Sequence, residues 1–427
     1  MKLNMKHIGV APWTAVAMLS LTFITGCKKD QFDPDIYNKV LASVYPVDSI
    51  DTTHTWSLNK QFTLQVNTAI ADTQLPQRIQ LLSGNPYADD DVEILSERFV
   101  NGKSTVSMKC YAPNVLSDMF VAAVTSDGRY FVVPLEQGQT DVDFSDATSE
   151  GTLNSPEYTA YTYLYEANFP APDDFDYNDV VLRIREWAES NTVIKVEVTI
   201  DAVGTNKQVA GAIRLPGIKW SMVNSVTIDE GNRFDEDYPF QRIYIVGTSS
   251  QKAARNGDVV INMFEDAHWS LQRHLQSEGT MLHVPLNTTH QPEPLQSDTV
   301  AVQTRTYTVT LVDGADASTL SLAMLDPFII EQYNTKQFEV HPYQYKFEES
   351  LWQYYGYRQA DYDNHMSWAI VIPSGTFRYP TEGVPLCTNR SGVIAGAYMT
   401  NGHSFGEWCT DCTRSVDWWL YPGMQVY

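Results

Sequence analysis

The chain has 427 residues, 43% of them hydrophobic and 19% charged, with 24 Tyr and 10 Trp. That is long enough for two packed cores and too aromatic for a mainly disordered protein. Lys and Arg number 29 against 52 Asp and Glu, a net charge of −23. So acidic a surface repels phosphate backbones and anionic headgroups; it argues against nucleic-acid binding and suits hard cations such as calcium.

Lys2 and Lys6 open the chain, Ile8 to Thr25 is mostly apolar, and Ile24-Thr25-Gly26-Cys27 is followed at once by Lys28, Lys29 and Asp30. A basic start, an apolar middle and small residues before a cut predict an export signal over residues 1–26. The Cys after Ile-Thr-Gly resembles a bacterial lipobox, which implies lipidation of Cys27. No other stretch of 18 or more apolar residues occurs, so attachment to the outer membrane would run through that lipid. Residues 27–45 read as a tether.

From residue 46 the pattern is β. Phe62, Leu64 and Val66 alternate with polar neighbours, as do Val106, Met108 and Cys110. The apolar run MFVAAV passes through Ser126-Asp127-Gly128-Arg129 into YFVVPL, a hairpin signal. Residues 46–148 therefore predict a small immunoglobulin-like sandwich, closed by a polar, turn-rich boundary at 145–156. Residues 157–427 are also strand-dominated, with candidates at 161–166, 180–184, 193–200, 243–247, 259–264, 306–312, 338–347 and 368–373. The best short helix lies within 391–412, and residues 272–305 read as a surface excursion. Strands without alternating helices argue against a Rossmann or TIM architecture and predict a larger jelly-roll-like β-sandwich. The fold class is all-β.

The strongest chemical signal is Asp173-Asp174-Phe175-Asp176-Tyr177-Asn178-Asp179, just before the strand VVLRI. Oxygens at alternate positions (Asp174, Asp176, Asn178), with Asp179 beside them, can converge on one calcium ion. The loop is not an EF-hand, because its sixth residue is Asp179 and its twelfth Arg185. An acidic turn that caps its own amides is the competing reading. Glu339 and His341 share one face of a strand, and with Asp326 read as a hydrogen-bonded structural histidine rather than a metal set.

Of the four later cysteines, Cys387, Cys409 and Cys412 are candidates for a structural disulfide, whereas Cys110 reads as a buried thiol. Trp352, Tyr354, Tyr355, Tyr357, Tyr362, Trp368, Trp408, Trp418 and Trp419 crowd the C-terminal third. Such faces can stack sugars, although core packing accounts for most of them. No G-x-S-x-G, H-E-x-x-H or Walker A pattern occurs, which points away from an enzyme.

Several blocks resemble one family. TYLYEANFPAPDDFDYNDVVLRI, AVGTNKQVAGAIRLPGI, GDVVINMFEDAHW, LAMLDPFII with EVHPYQYKF, and SWAIVIPSGTFRYPTEG with VDWWLYP follow in the order seen in LruC-domain lipoproteins of Bacteroidetes. The likeness covers roughly 160–427. It implies an outer-membrane or cell-surface lipoprotein with no assigned catalytic role, and it puts weight on Asp174, Asp176, Asn178 and Asp179. The expected role is a binding or adhesion module, calcium-stabilised at 174–179, that meets a glycan or surface protein. The alternatives are a structural component of an envelope assembly and, behind it, a glycan hydrolase.

Overall fold

The computed structural model describes residues 47, 50–100, 104–167, 174–229, 234, 238, 257–272, 283–289, 298–333, 336–342, 366–387 and 395–427. The export signal, Cys27 and the tether lie outside the described residues. So do Trp352, Tyr354, Tyr355, Tyr357 and Tyr362.

The first unit is built from β1 (Asn59–Asn67), β2 (Pro76–Leu82), β3 (Glu93–Phe99), β4 (Thr105–Pro113), β5 (Met119–Thr125), β6 (Tyr130–Leu135), β7 (Asp141–Val142) and β8 (Glu157–Tyr158). One sheet runs β4-β1-β7 and the other β6-β5-β2-β3-β8. The period-2 pattern sets the register: Phe62, Leu64 and Val66 stand opposite Cys110, Met108 and Val106. Leu64, Met108 and Cys110 then meet Ile79, Leu81 and Val121 of the second sheet in one buried core. The Asp-Gly turn does form, between β5 and β6, with Gly128 at φ +80°. β8 pairs in parallel with β3, so Glu157 and Tyr158 extend the first unit's sheet.

The second unit follows with β9 (Ala160–Tyr165), β10 (Val180–Ser190), β11 (Val193–Val203), β12 (Val209–Lys219), β13 (Val223–Ile228), β14 (Asp258–Phe264), β15 (Leu286–Asn287) and β16 (Asp298–Thr299). It continues through β17 (Gln303–Leu311), β18 (Asp326–Tyr333), β19 (Lys336–Val340), β20 (Ala369–Ile372), β21 (Met399–Thr400) and β22 (His403–Ser404). The large sheet runs β13-β17-β11-β10-β9-β20, with β15 on β11 and β16 on β15; the smaller runs β14-β12-β18-β19. Ile184, Val196 and Val198 of the first meet Ile213, Val259 and Ile329 of the second in a shared core. This is the expected larger β-sandwich. The 272–305 stretch is not wholly a surface excursion, because β15 adds to the edge of β11.

Among the described residues the α-helices are short: α1 (Ala267–Gln272) and α2 (Phe405–Thr410). No described helix is long and apolar enough to cross a membrane. α2 falls inside the expected helical window and starts where Ser404 Oγ accepts the Glu407 N–H at 3.2 Å. Trp368, Trp408 and Trp418 are buried, so these rings are core rather than an open sugar platform.

Candidate cation site

The connection from β9 to β10 carries the acidic run, and its backbone explains how the oxygens meet. Phe175 and Tyr177 are left-handed, at φ 59° and 55°. For bulky side chains this conformation costs about 1–2 kcal/mol each, so the surroundings must hold it in place. They do. The Tyr177 hydroxyl donates to the Ser367 carbonyl at 2.8 Å, and the Phe175 ring is buried near Trp368. Glu166, the first residue after β9, accepts the Phe175 N–H at one carboxylate oxygen (3.2 Å) and the Tyr177 N–H at the other (3.1 Å).

With the aromatic residues anchored, the carboxylates beside them converge. Glu166, Asp174 and Asp176 bring one carboxylate oxygen each within 4.8 Å of one another. Asp176 accepts the Asn178 N–H at 3.1 Å and the Gly383 N–H at 2.8 Å. Asp179 accepts the Ala167 N–H. The Asn178 amide nitrogen donates to the Pro380 carbonyl at 3.2 Å, which turns its Oδ1 away. That Oδ1 is buried and has no hydrogen-bond partner. A Cβ at Gly204 would lie 1.9 Å from Asn178 Oδ1 and 2.8 Å from Glu382 Oε2, so both oxygens flank the same point beside Gly204.

Two parts of the chain therefore supply oxygens, Glu166 with residues 174–179 and Glu382, while Gly204 in the turn after β11 leaves room for them. Glu166 and Asp176 are each 1% exposed and Asn178 2%, while Asp174 and Glu382 reach solvent. Burial first, and then the charges of Asp174, Asp179 and Glu382, push the Asp176 carboxyl well above the ordinary carboxylate range. A cation among negative groups packed this way would relieve their mutual repulsion. Calcium takes 6–8 oxygens at about 2.3–2.6 Å, and an all-oxygen, carboxylate-rich set of this kind fits it better than a transition metal.

Of the four residues the spacing proposed, Asp174 and Asp176 converge with Glu166, Asn178 Oδ1 lies by Glu382 beside Gly204, and Asp179 accepts the Ala167 N–H. Sequence reasoning missed Glu166 and Glu382. The available signal for Glu166 was a charged residue closing the apolar strand YTYLY; Glu382 is far away in sequence and had none.

The disulfide expected among Cys387, Cys409 and Cys412 is not formed, and Cys110, Cys387, Cys409 and Cys412 are all thiols. Cys409 faces the core from α2, whereas Cys412 lies past the helix end, where its N–H donates to Asp51 at 3.1 Å. The two thiols, though three residues apart, face different surroundings. His341 is the structural histidine anticipated: its ring nitrogens lie 2.8 Å from Asp326 and 3.0 Å from Glu339, and Arg214 bonds the other Asp326 oxygen at 2.9 Å.

A separate cleft of about 250 Å³ opens between the two units, lined by Glu97, Arg98, Lys109, Tyr158, Glu186 and Trp187 among others. Tyr158 and Trp187 stack there at 5.9 Å. Burial, then the Glu97 charge, raises the Glu186 carboxyl to about 8.

Among solved structures, a candidate lipoprotein from Bacteroides ovatus is similar at 14% identity, with a TM-score of 0.48, over 82% of this chain and 99% of that one. No curated protein matches the sequence significantly. The matching family is described only as a domain of unknown function and does not carry the LruC name. Its match spans residues 191–410, which takes in Gly204 and Glu382 but not the 166–179 loop. With just over half of its length matched, the chain belongs to the family described as domain of unknown function DUF4842.

Proposed function

We propose that the chain is a lipid-anchored envelope protein, attached at Cys27, that serves as a non-catalytic binding or adhesion module braced by calcium. The anchor rests on the basic start, the apolar stretch and the Ile-Thr-Gly-Cys lipobox. The LruC-type blocks agree with an outer-membrane lipoprotein. The observation that carries the calcium reading is the convergence of Glu166, Asp174 and Asp176 beside the partnerless, buried Asn178 Oδ1.

Calcium here does mechanical work. It ties the β9–β10 connection to the 380–383 segment over Gly204, so that one end of the second sandwich is rigid. The cleft between the units is the surface proposed to meet a glycan or a protein partner. A stacked aromatic pair beside mixed charges is the composition of a polar-ligand site.

Thermal unfolding of the protein stripped with EDTA and then returned to calcium tests the metal. A rise in melting temperature with calcium supports it, since a ligand bound only to the folded state stabilises by mass action. Identical melting with and without calcium, together with no heat on titration, removes it. Glycan-array binding lost on Trp187→Ala supports the cleft; crosslinking to one stoichiometric membrane partner would favour a structural role in an envelope assembly instead.

A further inference from the structure

The turn after β11 faces two ways. Gly204 abuts the oxygen cluster, while the carbonyl of its neighbour Thr205 points to a histidine on α1. There Asp266, His268 and His283 bring one ligating atom each within 4.8 Å of one another. Asp266 is 1% exposed, His268 is fully buried, and the His283 side chain is 24% exposed.

The chemistry of His268 is determined by its contacts. Its Nε2 lies 2.8 Å from the Thr205 carbonyl oxygen, which can only accept, so Nε2 carries the proton. With Nε2 so occupied, Nδ1 is the ring atom open to a ligand. That atom is buried, has no hydrogen-bond partner, and faces Asp266 Oδ1 at 3.5 Å. Asp266 Oδ1 already accepts the His268 backbone N–H at 2.9 Å, and its Oδ2 is 2.8 Å from His283 Nε2. A buried ring nitrogen and a buried carboxylate oxygen set this close, with a second imidazole on the same carboxylate, form a pocket that a cation can enter in place of a proton.

We propose that Asp266, His268 and His283 form a second cation site, of transition-metal type, that takes zinc. Two imidazoles and one carboxylate suit zinc, whereas the all-oxygen set at 166–382 suits calcium. The Thr205 carbonyl is the outer partner that a metal-bound imidazole needs to hold its tautomer and its orientation. Tetrahedral zinc with bonds of about 2.1 Å places its ligand atoms ~3.4 Å apart, close to the separation of His268 Nδ1 and Asp266 Oδ1. The shorter His283 contact opens by rotation of that partly exposed ring. Three protein ligands leave the fourth position to water. The site stands independently of the calcium reading, because its donors are different residues of different chemistry.

Full-length protein, stripped with EDTA and held in saturating calcium, is titrated with zinc by calorimetry, and cobalt(II) is then added to a second sample to read visible absorption. The expected result is one zinc per chain and the intense bands of tetrahedral cobalt. His283→Ala, at the partly exposed position, should weaken zinc by more than about tenfold with an unchanged circular dichroism spectrum. His268→Gln should do the same, and Glu166→Gln should leave zinc binding intact. Absence of stoichiometric uptake by the unaltered protein, or zinc binding by His283→Ala equal to the original, overturns the proposal.

Discussion

Gly204 and Asn178 leave no room for one another to grow: a single added carbon at Gly204 would sit 1.9 Å from the Asn178 side-chain oxygen, a separation no real structure holds. The backbone confirms how closely the segments meet, since the Gly204 N–H donates to the Asn178 carbonyl at 3.0 Å. Gly204 is required here for space and not for its φ.

Gly204→Ala should therefore displace Asn178 and Glu382 together. Overpacking of a buried site costs about 1–3 kcal/mol, so the melting temperature in EDTA should fall. The increment gained on adding calcium should also vanish. A variant that melts like the original and keeps its calcium response would contradict the geometry described for this turn.

Glu166 separates charge from scaffolding. Glu166→Gln keeps one acceptor oxygen but loses the negative charge; it should bind calcium more weakly while losing little stability without it. Glu166→Ala removes the acceptor of the Phe175 and Tyr177 amides, at about 1–3 kcal/mol each, and should destabilise the protein even in EDTA. Denaturant unfolding of both variants, with and without calcium, reads the two effects apart.

His341 predicts a pH dependence. Burial works against its charged ring, but Asp326 and then Glu339 outweigh it and hold its pKa up at about 9, against 6.5 in an unfolded chain. A raised histidine pKa means that the folded state binds the proton more tightly. Its stabilisation is thus fully present below about pH 6.5 and is lost as pH rises through about 9. Melting temperature should decline over that window in the original protein. In His341→Gln the decline should be shallower, from a lower starting stability, because Asp326 and Glu339 lose a partner.

Thiol accessibility checks the cysteines. Burial pushes the Cys110 thiol up to about 12, and Cys387 and Cys409 are also buried, whereas Cys412 is half-exposed. In native conditions an alkylating reagent should modify Cys412 and spare the other three. After unfolding without reductant, all four should be modified. Resistance of Cys387 and Cys409 to alkylation after unfolding would show them joined.

What could be read directly from the sequence was periodic or local. Alternation at Phe62, Leu64 and Val66 specified a half-buried strand, because successive side chains must face opposite sides of a sheet. Asp-Gly specified a turn. The spacing of Asp174, Asp176 and Asn178 identified a loop able to gather oxygens, since alternate residues can be brought to one side over so short a span.

Completing the site took the tertiary fold. Glu382 arrives from about two hundred residues downstream because β20 pairs with β9, and Gly204 arrives because β11 pairs with β10. The second cluster has the same origin: β14 lies on β12 and delivers Asp266 and His268 to the turn that β11 ends in. Contacts between distant segments depend on which strands pair and in which register. Side-chain periodicity sets the buried face of each strand but leaves its partner open, and so the amino-acid order revealed half of the oxygen cluster while the packing of two sheets supplied the rest.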